Sequence, residues 1–243
     1  ICWDETTPNR DFLTMTELKT AFAASPVTID VLGCDACLMA SAEVTYTISL
    51  SGKVDVMVAS EDYVPGWGYP YDMMLEELVA NPDMSASDFG VCMVDEYIAS
   101  YARTGCSFAT LAAIDLNSIP ILVDDIKDLA AELIANIEEY IDPVTGAKNA
   151  ADRYWFGFYH QGGYIDLRYF AEKLGFLAPD LKTLTDQIVS DWGSAVLNAK
   201  CCSGPHIRAG EGLTIYFPRN RNLYYNLGRY LDCVPDFALY TGW

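Results

Sequence analysis

Residues 27–50 read VTIDVLGCDACLMASAEVTYTISL, and this stretch decides the fold. Its first part, 27–33, is apolar and rich in β-branched residues, which predicts a strand buried on both faces of a sheet. Residues 38–50 fit a helix that begins directly after Cys37. A buried strand, a tight turn and a helix in this order are typical of open α/β sheets, whose active sites form outside the carboxyl ends of the strands.

Three further segments predict strands, and the segments between them predict helices. The strands are expected at 55–60, 111–116 and 213–217, and helices include 72–80, 86–103, 166–174 and 180–198. Apolar strands that alternate with helices predict a parallel or mixed sheet covered on both faces. Because sheets carry about five to six strands on average, this small number leaves room for further strands upstream. We expect one domain over 1–243 without an internal boundary.

The charge of the chain excludes several classes of partner. With 15 lysines and arginines against 34 acidic residues, the formal net charge is −19. No basic surface is therefore available to neutralise phosphates, and nucleic acid is excluded as a partner. The same charge argues against an anionic membrane surface. No apolar run reaches the roughly 18–20 residues that span a bilayer, so membrane insertion is not expected.

Cys37 is the most informative residue of the strand-turn-helix segment. At a helix N-terminus, unpaired backbone N–H groups and the helix dipole favour a thiolate, the form in which cysteine acts as a nucleophile. Three interpretations remain open on the residues alone: a structural cysteine, a dithiol redox pair with the spacing Cys34-x-x-Cys37, and a hydrolytic nucleophile. Zinc is a variant of the first, but neither a second C-x-x-C nor paired histidines complete four ligands.

A cysteine nucleophile needs a general base, and the chain has two histidines. His160 lies in Tyr-His-Gln-Gly-Gly, and His206 lies in Gly-Pro-His-Ile-Arg. Either can approach Cys37 in three dimensions, and each also fits a loop histidine that is satisfied by hydrogen bonds.

Four segments resemble the clostripain family of cysteine peptidases. Residues 29–44, IDVLGCDACLMASAEV, resemble the segment that carries the nucleophile of that family, and 58–69, VASEDYVPGWGY, resemble the strand and loop that follow it. GLTIYFP at 212–218 and TGW at 241–243 resemble its C-terminal signature. The family belongs to the caspase-like clan. The resemblance therefore implies an α/β fold, a caspase-like αβα sandwich with a mostly parallel central sheet, and it implies Cys37 as the nucleophile.

The resemblance also implies a catalytic histidine in a His-Gly motif, on a strand that precedes the cysteine strand. Neither His160 nor His206 is followed by glycine, and both come after Cys37. The family matures by self-cleavage into a light and a heavy chain, and this chain, which starts at Ile1, resembles the heavy chain. We therefore expect its own N-terminal light chain to complete the sheet and to supply the histidine.

In the same family, a cysteine-histidine dyad cleaves peptide bonds after arginine or lysine. A basic side chain needs a carboxylate to replace its hydration. Asp35, two residues before Cys37, is the first candidate, and Asp62 and then Glu61 follow the next strand at the same sheet edge. The alternative for all three is a solvated turn acid. The loop 65–71 is expected to form a wall of the cleft.

No cofactor is predicted. Calcium is associated with the namesake of the family, but the chain has no Asp-x-Asp-x-Asp loop of the calcium-binding type. Relatives are exported bacterial enzymes, so we expect a secreted or cell-surface protein that acts on peptide or protein substrates with arginine or lysine. A redox domain and a non-catalytic binding domain remain the alternatives to the peptidase.

Overall fold

A four-stranded sheet lies at the centre of the computed structural model. The structure describes residues 6, 12–151, 163–202, 210–218 and 227–243, with the backbone alone at 227–229. The described strands are β1 Ile29–Gly33, β2 Val54–Ala59, β3 Thr110–Asp115, β4 Tyr164–Asp166, β5 Val196–Cys201 and β6 Thr214–Tyr216. The central sheet has the order β1-β2-β3-β5, and β4 pairs with β6 in a separate two-stranded sheet.

The central sheet is mixed. β1 pairs in parallel with β2, and β3 runs antiparallel to both of its neighbours, β2 and β5. β1, β2 and β5 therefore point the same way, and β3 alone in this sheet is reversed. The predicted α/β fold is confirmed, and its central sheet is mixed, since one of the three pairings among its described strands is parallel and the two that β3 makes are antiparallel.

Helices cover the sheet on both faces. Val56 and Val58 of β2 pack with Tyr97 on one face, whereas Met57 packs with Ile126 on the other, as expected for side chains that alternate along a strand. The described α-helices are α1 Met15–Ala23, α2 Ala42–Ser49, α3 Tyr71–Ala80, α4 Ala86–Thr104, α5 Ile119–Ala135, α6 Ile137–Ala151, α7 Leu167–Leu177, α8 Lys182–Ala195, α9 Leu227–Cys233 and α10 Pro235–Thr241. Both layers of the predicted αβα sandwich are thus present.

Helix α4 lies close against the sheet because Gly90 has no side chain. A Cβ at this position would lie 2.9 Å from Cγ1 of Val56 and 3.3 Å from the Cβ of Ala113. The same helix carries Tyr97 and Tyr101, both buried, which contact the loop that follows β2. The packing of α4 therefore supports the edge of the sheet at which a functional site is expected.

One predicted helix is wrong at its C-terminal end. The helix expected over 180–198 ends at Ala195, and the following residues form β5. Pairing with β3 gives these residues backbone partners in the sheet, and the Asn198 side chain donates to Oδ1 of Asp95 at 2.8 Å. Tertiary pairing of this kind overrides local propensity. The late strand expected at 213–217 is confirmed as β6, which lies outside the central sheet.

Candidate active site

The turn after β1 carries Cys37 at the carboxyl end of the sheet. The ladder to β2 continues past the strand, because the Cys34 N–H donates to the Val58 carbonyl at 2.8 Å. The chain then leaves the sheet and returns to it, where the Leu38 N–H donates to the Asp62 carbonyl at 3.1 Å. Cys37 is exposed on the outside of this turn.

Helix α2 begins later than the sequence predicts. It runs over Ala42–Ser49 with Ser41 as its N-cap, so the expectation of a helix directly after Cys37 is wrong. The reason is a tertiary pairing, since the Ala40 carbonyl accepts the N–H of Thr214 in β6 at 3.0 Å and keeps this stretch out of the helix. The helix dipole falls off within the first turn. It is therefore not an argument for a thiolate at Cys37.

The backbone directly after Cys37 has an uncommon conformation. Leu38 has a φ of +61°, in the left-handed region that residues other than glycine rarely occupy. No other non-glycine residue in the described ranges has a positive φ. Such conformations persist only where their surroundings hold them, and they cluster at functional sites. Here the hydrogen bond from Leu38 to Asp62 holds the turn that presents Cys37.

The loop after β2 borders the thiol, and residues 64–71, which include Tyr71 as the first residue of α3, form the cleft loop. The Val64 N–H donates to Sγ of Cys37 at 3.3 Å, a contact between residues 27 positions apart. The backbone N–H of Cys37 itself has no hydrogen-bond acceptor within the described residues. An accessible thiol beside an unused backbone donor is the arrangement that a cysteine nucleophile with an oxyanion donor needs.

Cys34, the other cysteine of the C-x-x-C spacing, lies in a different environment. It packs against the core, and burial raises the pKa of its thiol to about 12. Cys34 and Cys37 are both free thiols. Thiol-disulfide exchange proceeds through a thiolate, so the burial of Cys34 disfavours the dithiol interpretation and leaves Cys37 as the accessible sulfur of the pair.

Asp35 presents its carboxylate at the surface beside the cleft loop. Its Oδ2 accepts the N–H of Tyr69 at 3.1 Å and the hydroxyl of Tyr71 at 3.0 Å. Gly68 packs directly against this oxygen: a Cβ there would lie 2.5 Å from Oδ2, and the glycine has a φ of +68°. Asp35, two residues before Cys37 in the sequence, therefore presents an exposed carboxylate whose orientation Tyr69 and Tyr71 fix.

Buried tyrosines fix the cleft loop to the body of the protein. The Tyr69 hydroxyl donates to the Cys34 carbonyl at 2.8 Å, and the Tyr101 hydroxyl of α4 donates to the Gly68 carbonyl at 2.7 Å. The rings of Tyr69 and Tyr97 pack edge to face with their centroids 5.4 Å apart. The sequence predicted that this aromatic loop forms a wall of the cleft. It did not predict these hydrogen bonds, because the partners on α4 are distant along the chain.

The two other acidic candidates, Glu61 and Asp62, are buried, at 2% and 3% exposure. Oδ1 of Asp62 accepts the N–H of Tyr63 at 2.7 Å, and burial raises the pKa of the Asp62 carboxyl to about 6. Oε2 of Glu61 lies 3.1 Å from the position that a Cβ on Gly210 would take. Of the three carboxyl groups, only that of Asp35 lies at the surface near the thiol.

Glu43, in the first turn of α2, is a buried carboxyl that sequence reasoning did not single out. It is 1% exposed, and its Oε1 accepts the N–H of Tyr216 at 2.7 Å and the hydroxyl of Tyr230 at 3.1 Å. Its Oε2 has no hydrogen-bond partner in the described structure, and burial raises the pKa of the Glu43 carboxyl. Glu43 thus ties the helix after the nucleophile turn to β6 and α9. An acidic residue on an otherwise uncharged helix was the signal for it.

His160 and His206, the two candidate bases, lie outside the described residues. Across the described ranges, no group of three or more histidine, cysteine, aspartate or glutamate side chains is arranged to hold a metal ion. In the same part of the chain, no helix combines the length and the apolar character that crossing a bilayer requires.

An αβα sheet with an exposed cysteine at its carboxyl end is the arrangement expected of a caspase-like cysteine peptidase. The sequence model of the clostripain family matches residues 1–243, so the chain belongs to the clostripain family, as its motifs predict. Clostripain from Hathewaya histolytica is 24% identical over 269 residues, an alignment that covers 92% of this chain and 50% of that protein. The chain thus spans about half the length of this curated relative.

Solved structures share the fold. A clostripain from Bacteroides thetaiotaomicron, solved with the peptide inhibitor BTN-VLTK-AOMK, superposes with a TM-score of 0.70 at 17% identity, over 97% of this chain and 96% of that one. A cysteine protease from B. fragilis has a TM-score of 0.66 at 16% identity, over 99% of this chain and 97% of that one. These similarities support the caspase-like architecture.

Proposed function

We propose that this chain carries the nucleophile and the specificity carboxylate of a cysteine endopeptidase that cleaves after arginine or lysine. One observation carries the proposal: a strained turn presents the exposed Cys37 thiol two residues after the exposed Asp35 carboxylate, in a chain of the clostripain family. The catalytic unit extends over 1–243 as a single peptidase domain that a light chain completes.

The reaction uses the sulfur in two steps. The Cys37 thiolate attacks the carbonyl carbon of the substrate, a C–S bond forms, and the carbonyl oxygen becomes an oxyanion that the Cys37 N–H stabilises. A protonated histidine gives its proton to the leaving amine as the C–N bond breaks, which leaves a thioester. The same histidine then deprotonates a water molecule, which hydrolyses the thioester and releases the thiolate.

Asp35 binds the basic side chain that precedes the cleaved bond. Its carboxylate is exposed and is oriented by the Tyr69 N–H and the Tyr71 hydroxyl, so it can accept charge-assisted hydrogen bonds from a guanidinium or an ammonium group. Asp62 adds negative charge beneath the proposed binding site. Its carboxyl lies buried at the end of the neighbouring strand, and a bound cation nearby favours its ionised form. Glu61, also buried, is the third candidate for this role.

The catalytic histidine comes from a light chain of the same protein, N-terminal to this chain. Among the described strands β1 pairs with β2 alone, and its other edge is the place where we expect the strand of the light chain to pair. A parallel strand beside β1 ends on the same side as Cys37, where a His-Gly turn reaches the thiol. We also propose that the protein matures by self-cleavage upstream of Ile1 and that it is exported to the cell surface or secreted. Among the structural neighbours, one is an inactive zymogen C11 protease from Parabacteroides distasonis and one is a secreted C11 protease from B. thetaiotaomicron.

Replacement of the nucleophile tests the function. In the complete enzyme, we expect Cys37→Ala to reduce hydrolysis of an arginyl amide to background and to leave the precursor uncut. Cys34→Ser is the matched control and is expected to retain activity within about threefold, whereas a redox pair would be equally damaged by both changes. Activity that survives in Cys37→Ala overturns the assignment. A folded wild type that resists an arginine-directed thiol inhibitor indicates a non-catalytic binding domain instead.

A further inference from the structure

An apolar cavity of about 560 Å³ lies next to the proposed active site. Residues 65–67 of the cleft loop form one side of it, and residues 104–106 at the end of α4, together with Phe108, form the other. None of these lining residues is charged, although the chain has 34 acidic residues. A concave and uncharged surface of this size suits an apolar side chain and not a basic one.

The cleft loop joins this cavity to the nucleophile. Val64 donates to Sγ of Cys37 at 3.3 Å, and the next residue, Pro65, is the first residue of the cavity wall. Farther along the same loop, the Tyr69 N–H holds Asp35. Because an extended chain advances about 3.3 Å per residue, a peptide whose carbonyl lies at Cys37 reaches the cavity within a few residues.

A hydrogen bond from α4 and the turn that ends this helix hold the two walls of the cavity. The Tyr101 hydroxyl holds the Gly68 carbonyl at 2.7 Å, and Gly105, with a φ of +72°, ends α4 and turns the chain away. Trp67 on the loop side of the cavity is 80% exposed. A large aromatic side chain that leaves most of its surface in water beside a cavity is the type of residue that anchors a bound partner.

Resting on the peptidase function proposed above, we propose that this cavity is a specificity subsite for an apolar side chain of the peptide substrate, within about four residues of the cleaved bond. Asp35 then recognises the basic residue and the cavity recognises an apolar neighbour, through opposite ends of one loop. The enzyme therefore selects sequences that combine arginine or lysine with a large apolar residue nearby.

Kinetics on a peptide series test the subsite. Internally quenched peptides carry arginine before the cleaved bond, and each nearby position is changed in turn from alanine to leucine or phenylalanine. At one position, we expect the larger residue to raise kcat/KM about tenfold, the effect of burying a side chain of this size. Cys106→Trp fills the cavity, and Trp67→Ala removes one wall. In each variant, we expect kcat/KM for the peptide with the larger residue to exceed that for the alanine peptide by no more than about twofold.

Cys92→Trp is the matched control, because Cys92 lies within α4, is half-buried like Cys106 and does not line the cavity. It is expected to retain the preference of the wild type. An active wild type without any preference for an apolar residue overturns the subsite, and so does a preference that both cavity variants retain.

A binding measurement distinguishes failure of the subsite from failure of the peptidase function. In the complete enzyme with Cys37→Ala, we expect the leucine peptide to slow alkylation of Cys106 by iodoacetamide, followed by mass spectrometry, while the exposed Cys233 reacts at an unchanged rate. Turnover by the wild type without protection of Cys106 overturns the subsite alone. A wild type without turnover overturns the peptidase function.

Discussion

The Tyr71 hydroxyl donates a hydrogen bond to Oδ2 of Asp35 at 3.0 Å, although the two residues are 36 positions apart. The same oxygen accepts the N–H of Tyr69. Two donors from the cleft loop therefore orient a surface carboxylate that the turn after β1 places two residues before Cys37. The proposed specificity site is the product of these two segments together.

Loss of the Tyr71 hydroxyl is expected to weaken substrate binding. Tyr71→Phe keeps the ring and removes one of the two donors that orient Asp35. A hydrogen bond of this kind contributes about 0.5–1.5 kcal/mol, so we expect KM for an arginyl amide to rise about threefold to tenfold, with kcat within about twofold. Steady-state kinetics measure both constants. An unchanged KM would show that Asp35 does not depend on this hydroxyl.

A side chain at Gly68 is expected to disturb both stability and binding. In Gly68→Ala, the new Cβ would lie 2.5 Å from Oδ2 of Asp35, at a φ of +68°. Gly52→Ala is a matched control, because Gly52 has a φ of +61° and nothing within 4 Å of its Cβ position. We expect the control to lose about 1 kcal/mol of unfolding free energy through its left-handed backbone alone.

For Gly68→Ala, we expect a loss of about 2 kcal/mol or more, since the steric contact adds to the backbone cost. Urea unfolding measures both variants, and kinetics on an arginyl amide show whether KM rises in Gly68→Ala only. Equal effects of the two substitutions on stability and KM would show that the packing of Gly68 against Asp35 does not contribute to substrate binding.

Ionisation of Asp62 is expected to cost stability. Burial raises the pKa of its carboxyl to about 6, while an aspartate in the unfolded chain titrates near 3.9. The native state thus binds the proton more tightly, so stability from this group is present at low pH and is lost as the pH rises from about 4 to about 6. The difference of about two pKa units corresponds to roughly 3 kcal/mol.

Asp62→Asn removes this dependence while it keeps an acceptor for the Tyr63 N–H. We expect the unfolding free energy of the variant minus that of the wild type to increase by about 2–3 kcal/mol between pH 4 and pH 7. Urea unfolding at several pH values in this range measures the gap. A gap that does not change with pH contradicts the raised pKa.

Glu43 is expected to stabilise the protein as a hydrogen-bond acceptor and not as a charge. Glu43→Gln keeps an oxygen for the Tyr216 N–H and the Tyr230 hydroxyl, so we expect stability at pH 7 to change by less than about 1 kcal/mol. Glu43→Ala leaves both donors unpaired and opens a cavity, and we expect a loss of about 2–4 kcal/mol. Thermal unfolding of the pair measures this. Equal losses in both variants would point to the charge instead.

Local sequence pattern predicted the strands that build the site. The apolar and β-branched runs at 27–33, 55–60 and 111–116 became β1, β2 and β3. β2 and β3 are buried almost throughout, as such runs predict, whereas the prediction that the first strand is buried on both faces is wrong, because β1 exposes Asp30 and Gly33. The start of α2 and the existence of β5 were not predicted. Both depend on hydrogen bonds to strands that are distant along the chain, and a local pattern carries no information about such partners.

The sequence by itself predicted the family and the class of fold, and through the family resemblance it proposed Cys37 and Asp35 as site residues, because these rest on residue types at short spacings within one turn. Only the tertiary structure decided what surrounds them. It placed the Val64 N–H on the sulfur, two tyrosine donors of the cleft loop on Asp35, and the carboxyl groups of Glu61 and Asp62 in the interior. The physical reason is that burial, orientation and pKa depend on which distant segments the packing of the sheet and α4 brings together.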